Sequence, residues 1–101
     1  MSKQIKVSSG DSQFDVWCEL PEAKSSPVIV LLQEIFGVNA EMREVASLYA
    51  TEGYIVLVPD LFHQFEPNIE LGYSETDHQA AFDYYTRLDV SVALQDRKSV
   101  V

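Results

Sequence analysis

Cysteine is nearly absent from this 101-residue chain, with Cys18 alone. One thiol excludes an internal disulfide framework and a cysteine-based zinc site. Basic residues are scarce: seven Lys and Arg face sixteen Asp and Glu, a formal charge of −9. Phosphates repel such a surface, so neither nucleic acid nor an anionic membrane is expected as a partner. Long apolar runs are missing too. Val28–Leu32 is as long as any, far short of a bilayer span. Met1-Ser2-Lys3-Gln4 carries no apolar signal-peptide region. A reducing, cytoplasmic setting is the expectation. The four glycines stand at 10, 37, 53 and 72 and form no Gly-x-Gly-x-x-Gly or phosphate loop. No nucleotide cofactor is indicated, and none of any other kind. With 47% apolar and 23% charged residues, the chain reads as one globular unit with a modest core.

The patterning that is present predicts an α/β fold. Ile5–Ser8 reads as a strand and Gly10-Asp11 as a turn. From Gln13 to Leu20, Phe14, Val16 and Cys18 alternate with Asp15, Trp17 and Glu19, the period of a half-buried strand. Together they predict an edge hairpin. Pro21–Pro27 reads as a polar loop. Val28–Leu32 is apolar throughout, as in a strand covered on both faces. Asn39 is placed to cap a helix running to about Glu52, with Met42, Val45, Ala46 and Tyr49 as its core stripe and Gly53 as terminator. Tyr54–Val58 is a second apolar strand, and strand, helix and strand predict a βαβ unit. Leu61–Gly72 reads as a long loop. A helix follows Ser74, with Ala81, Tyr84, Tyr85 and Leu88 as its stripe, and another runs from Ser91 to Val101.

Gln33-Glu34-Ile35-Phe36-Gly37-Val38-Asn39, joined to Met42-Arg43-Glu44, Glu52-Gly53-Tyr54 and Val58-Pro59-Asp60-Leu61-Phe62, resembles the dienelactone hydrolase (carboxymethylenebutenolidase) family of α/β-hydrolases. The resemblance spans nearly the whole chain but only the N-terminal part of the family's domain. It implies that residues 1–101 form the first half of a three-layer sandwich: edge hairpin, βαβ unit and further helices. It also implies a cysteine nucleophile on a Gly-x-Cys/Ser-x-Gly elbow, followed by an acid and a histidine. No glycine pair here makes that elbow. By position all three triad members would follow Val101, so neither Cys18, His63 nor His78 is the family's catalytic residue.

The resemblance assigns two catalytic roles to this segment. Glu34 looks like the family glutamate that gates the nucleophile, pairing with the thiol at rest and taking its proton when substrate enters. Such a carboxylate belongs at a strand's C-terminal mouth, partly desolvated. The plain alternative is a solvated loop glutamate. Ile35 is placed to lend its backbone N–H to the oxyanion hole, a donor worth about 2.7–4 kcal/mol in the transition state when correctly aimed. Phe36 is a candidate pocket wall, against the ordinary role of a core aromatic. His78 falls near the position of a substrate-binding arginine, against that of an exposed first-turn histidine. Asp60 reads as a brace after its strand. His63 with Asp60 makes a two-ligand set, too small for a metal site.

Two functional readings follow. One is a hydrolase of a small-molecule ester or lactone, acting through a cysteine acyl-enzyme in the complete protein. The other is a non-catalytic fragment or a small interaction module with the same half-fold. In either, the strand at Val28–Leu32 lacks its next neighbour, so the isolated chain is expected to self-associate through an open edge or to fold poorly.

Overall fold

The computed structural model describes residues 1–10, 12–22 and 25–100. Asp11 of the predicted turn, Ala23 and Lys24 of the predicted loop, and Val101 lie outside the described residues. The elements are β1 (Ser2–Ser9), β2 (Ser12–Glu19), β3 (Val28–Val30), α1 (Ala40–Thr51), β4 (Ile55–Pro59), α2 (Glu75–Arg87) and α3 (Val90–Ser99). They build a single four-stranded sheet in the order β1-β2-β4-β3. β1 and β2 form the expected antiparallel hairpin, with Ile5 opposite Val16. β3 and β4 run parallel on either side of α1 in sequence, the expected βαβ connection. β4 joins the two halves by pairing antiparallel with β2.

The α1 face of the sheet holds the tightest cluster: Met42, Ala46 and Ala50 from the helix against Val56 and Val58 of β4. Burying a valine of this kind stabilises by about 1.5–3 kcal/mol. The stripe differs from the expected one. Val45 and Tyr49 are exposed, and Ala50 takes their place in the core. The helix sits rotated toward β4 because β3 is short and no described strand lies beyond it. For the same reason β3 is not covered on both faces. It leaves the ladder at Val30, Leu31 adds one last bond to Leu57 O at 2.9 Å, and Val28 is 50% exposed.

β2 departs from its alternation in the opposite sense. Phe14, Val16 and Cys18 are buried as expected, but Glu19 is buried too and Trp17 half-buried. α1 covers the face that the period alone assigned to water. Glu19 is satisfied there, its Oε1 accepting from the Ser2 hydroxyl at 2.7 Å and Trp17 Nε1 at 3.0 Å.

Both predicted caps are present. Asn39 Oδ1 accepts from Met42 N–H, and Ser74 Oγ from Asp77 N–H, each at 3.1 Å. The segment expected as a plain loop contains a 3₁₀ turn at Leu61–Gln64 that buries Leu61 and Phe62. On α2 only Ala81 is fully buried. Tyr84 packs against Phe62 and Phe65, and Tyr85 is exposed, contrary to the predicted stripe. α3 starts one residue early, capped by Asp89, and packs on β1 across the sheet from α1. No helix among the described residues is long and apolar enough to cross a membrane.

Candidate functional site

The chain leaves β3 and makes a tight reversal at Glu34–Gly37, where Gly37 N–H donates to Glu34 O at 3.1 Å. Gly37 has φ +81°, and a Cβ there would stand 2.1 Å from Ile69 O. Only glycine fits this position, both for its left-handed backbone and for the contact. The turn is strapped by the segment beside it: Leu71 N–H donates to Phe36 O at 2.8 Å, and Gly37 bridges Glu70. Asn39 works twice, capping α1 while its Nδ2 donates to Leu71 O at 3.1 Å and to the Tyr73 hydroxyl at 3.3 Å.

Gln33 completes the frame. Its Oε1 accepts from Leu61 N–H at 2.8 Å and its Nε2 donates to Glu34 O at 3.2 Å. One side chain thus ties the exits of the two parallel strands together. Gln33 belongs to the motif, but the sequence alone gives it no role. Its work is visible only once β3 and β4 lie side by side.

Glu34 stands four residues beyond β3, at the rim where the carboxyl ends of the parallel strands emerge. It is exposed and makes no ion pair among the described residues. The partial desolvation expected for a gate is not supplied by this segment, because nothing described packs over that side of the turn. The charge of Glu34 is still felt next door. The Tyr73 phenol stands above its ordinary pKa: the Asn39 hydrogen bond works to lower it and is outweighed by the Glu41 carboxylate it donates to and the nearby charge of Glu34. The Ile35 N–H donates to no acceptor among the described residues. Phe36 is 9% exposed, edge-on to Tyr73 at 4.5 Å and to His78 at 5.1 Å between ring centroids. The two expected pocket residues therefore touch, and Tyr73 joins them. His78 itself is exposed, and its Nδ1–H is turned to Ser74 O at 3.0 Å, since a carbonyl can only accept.

The remaining titratable residues lie elsewhere. Cys18 is buried on the face away from α1. Loss of hydration pushes its thiol up, opposed by the charge of Lys3, and a buried thiol of this kind is inert. His63 does not turn to Asp60. Its Nε2 lies 2.7 Å from Asp96 Oδ2 on α3, with both side chains buried, and its ring stacks on Phe14 at 4.8 Å. Asp96 was missed because a lone aspartate in a helix carries no local signal, and its partner is 33 residues away. No set of three residues able to hold a metal occurs among the described residues.

Asp60 braces its loop as expected, Oδ2 accepting from Asn68 N–H at 2.7 Å. Burial raises its carboxyl above the ordinary 3.8, against the lowering effects of the Asn68 N–H and the nearby His63. The native state thus holds that proton more tightly than the unfolded chain. Its contribution to stability is full below about 3.8 and declines as pH rises through the higher native value. Asp60→Asn is expected to abolish that decline, giving a Tm that falls less than the wild type's as pH rises above about 3.8. An unchanged profile would remove Asp60 as its source.

The dienelactone hydrolase family model matches residues 14–100. The chain is 31% identical over 103 aligned positions to a carboxymethylenebutenolidase of Pseudomonas putida, covering all of this chain and 44% of that one. It is 43% identical over 61 positions to a carboxymethylenebutenolidase of Pseudomonas sp. strain P51, covering 60% of this chain and 26% of that one. Among solved structures, a candidate dienelactone hydrolase of Klebsiella pneumoniae superposes with a TM-score of 0.82 at 20% identity, over 99% of this chain and 41% of that one. Dienelactone hydrolase of Anabaena variabilis gives 0.60 at 15% identity, over 95% and 40%. These structural likenesses concern the fold, and the mixed α/β architecture matches a part of theirs. The chain thus spans less than half the length of the relatives it matches, and within that span it belongs to the dienelactone hydrolase family.

Proposed function

We propose that this chain forms the part of an ester or lactone hydrolase that gates the nucleophile and supplies one oxyanion donor. The observation that carries this reading is the Gln33–Gly37 turn. It is held by four hydrogen bonds to neighbouring segments or within itself, yet leaves the Glu34 carboxylate and the Ile35 N–H uncommitted among the described residues. Such rigidity around two free groups suits a site whose donors must be aimed before substrate arrives. In this reading residues 1–101 are a partial α/β-hydrolase domain. The complete enzyme brings a cysteine on its elbow beside the turn. Glu34 takes the thiol proton, the thiolate attacks the ester carbonyl, and the oxyanion is held by Ile35 N–H and a donor after the nucleophile. The tetrahedral intermediate collapses with cleavage of the acyl C–O bond, the departing alkoxide takes a proton from the histidine that follows the elbow, and water then hydrolyses the thioester to release the acid and return the thiol. Phe36, His78 and Tyr73 form a wall toward the substrate. The substrate is a small molecule, with neither nucleic acid nor membrane as partner, no cofactor is required, and the setting is the cytoplasm.

The experiment grafts residues 1–101 in place of the matching segment of the Pseudomonas putida relative and assays aryl-ester and lactone hydrolysis. The graft is expected to turn over both, and Glu34→Ala to lower kcat/KM by about 100-fold or more, the usual weight of a proton-transfer group. The 101-residue chain alone is expected to show none. Full activity in the Glu34→Ala graft would overturn the gating role, and turnover by the isolated chain would overturn the missing-nucleophile reading.

A second reading rests on the open edge. Val28 of β3, Leu32 two residues beyond that strand, and Val45, Leu48 and Tyr49 of α1 leave apolar surface exposed. We expect the 101-residue chain to self-associate there. Val28→Lys places a charge on the edge and is expected to return the chain to monomer in sedimentation runs. A wild-type chain that is monomeric across the micromolar range would refute it.

A further inference from the structure

The donor that an oxyanion would meet at this turn is one end of a peptide group. Glu34 C=O and Ile35 N–H belong to the same planar trans unit, so the direction of the oxygen fixes that of the N–H. Whatever holds Glu34 O therefore aims Ile35 N–H. A carbonyl oxygen has two lone pairs, and both are engaged here. One accepts from Gly37 N–H at 3.1 Å, the bond that closes the turn on itself. The other accepts from Gln33 Nε2 at 3.2 Å.

The two bonds fix different things. The Gly37 bond travels with the turn and sets only its internal shape. The Gln33 amide reaches outside it, its Oε1 accepting from Leu61 N–H at 2.8 Å. Leu61 is a firm anchor: it is 8% exposed, and the Asp60 N–H before it donates to Asp15 O on β2 at 3.0 Å. The far half of the turn is held separately, by Leu71 N–H on Phe36 O and by the bridge from Gly37 to Glu70. At the near half, Gln33 is the one side chain bonded to the Glu34–Ile35 peptide among the described residues. Without it the near half can pivot on the far half, and the N–H swings with it. Donation to the oxygen also polarises the peptide and so strengthens its N–H as a donor.

Resting on the hydrolase reading above, we propose that Gln33 is a positioning residue, which aims the Ile35 N–H at the developing oxyanion through the peptide group it holds and touches no substrate itself. Two measurements test it. In the graft, Gln33→Met keeps the side-chain length and loses both polar ends. It is expected to lower kcat and kcat/KM together by at least about tenfold, a part of the 10²–10³ that an oxyanion donor supplies, with KM nearly unchanged. In the 101-residue chain carrying Val28→Lys, the residual dipolar coupling of the Ile35 N–H reports its direction relative to the sheet. Gln33→Met is expected to change that coupling while those of Val56 and Val58 on β4 stay as they were. Gln33→Glu keeps an acceptor for Leu61 N–H but has no N–H for Glu34 O. It is expected to change the Ile35 coupling at a Tm close to the parent's, and it carries the test should Gln33→Met fold poorly. A graft inactive with Gln33 in place would count against the hydrolase reading, and the coupling would then decide the role of Gln33. An Ile35 coupling unchanged in the folded variants, or a Gln33→Met graft that raises KM and spares kcat, would overturn the proposal.

Discussion

Asp96→Ala is expected to lower the stability of the chain by about 3 kcal/mol or more, because breaking a buried polar pair strands the surviving partner. His63 is that partner. Its side chain is 8% exposed, its Nε2 has Asp96 Oδ2 as acceptor at 2.7 Å, and its ring lies flat on Phe14. The pair ties the segment after β4 to the body of α3, as the two Gln64 bonds to the Asp89 backbone, each at 3.1 Å, tie it to the helix start. Removing it leaves α3 docked by few contacts, since Ala93 is its one buried apolar residue. At a urea slope of about 1–3 kcal/mol/M, the midpoint should fall by at least about 1 M. Asp96→Asn keeps an oxygen within reach of His63 and should lose less than half as much. Equal midpoints for wild type and Asp96→Ala would mean that α3 contributes nothing to the cooperative unit.

Gly37→Ala is expected to be the most damaging single change in the Glu34 turn. The left-handed backbone alone costs a non-glycine residue about 1–2 kcal/mol. The new Cβ would also meet Ile69 O at 2.1 Å, so the strap itself must move. Gly53 separates the two effects. It too has a positive φ, +98°, but a Cβ there meets nothing within 4 Å. Gly53→Ala should therefore show the dihedral cost only, while Gly37→Ala exceeds it by about 1 kcal/mol or more and exposes Leu71 N–H, the donor to Phe36 O, to rapid hydrogen exchange. Equal losses at the two glycines would show that the strap yields without cost.

Much of this fold is legible in the residues because the signals are local. Asn39 and Ser74 are caps by type and position, and the structure bonds each to the N–H three residues on. The hairpin and the βαβ unit follow from period and turn residues. What was misread depends on neighbours. Glu19 reads as solvent-facing by alternation and is buried because α1 happens to cover that face. Val28 reads as buried by composition and is exposed because β3 ends the sheet. The 3₁₀ turn at Leu61–Gln64 is too short to show a period. At the candidate site the motif placed Glu34, Ile35 and Phe36 on one turn, and Phe36 and His78 do meet. Gln33, Tyr73 and the strap from Ile69 to Leu71 became visible only through contacts made across the fold.

The amide of Gln33 has a consequence for how such a protein can change. With one end on Leu61 N–H and the other on Glu34 O, it works as a yoke between two loops that sequence separates by nearly thirty positions. Insertions or altered residues after β4 cannot drift independently, because any shift at Leu61 pulls on the carbonyl of the acidic residue opposite.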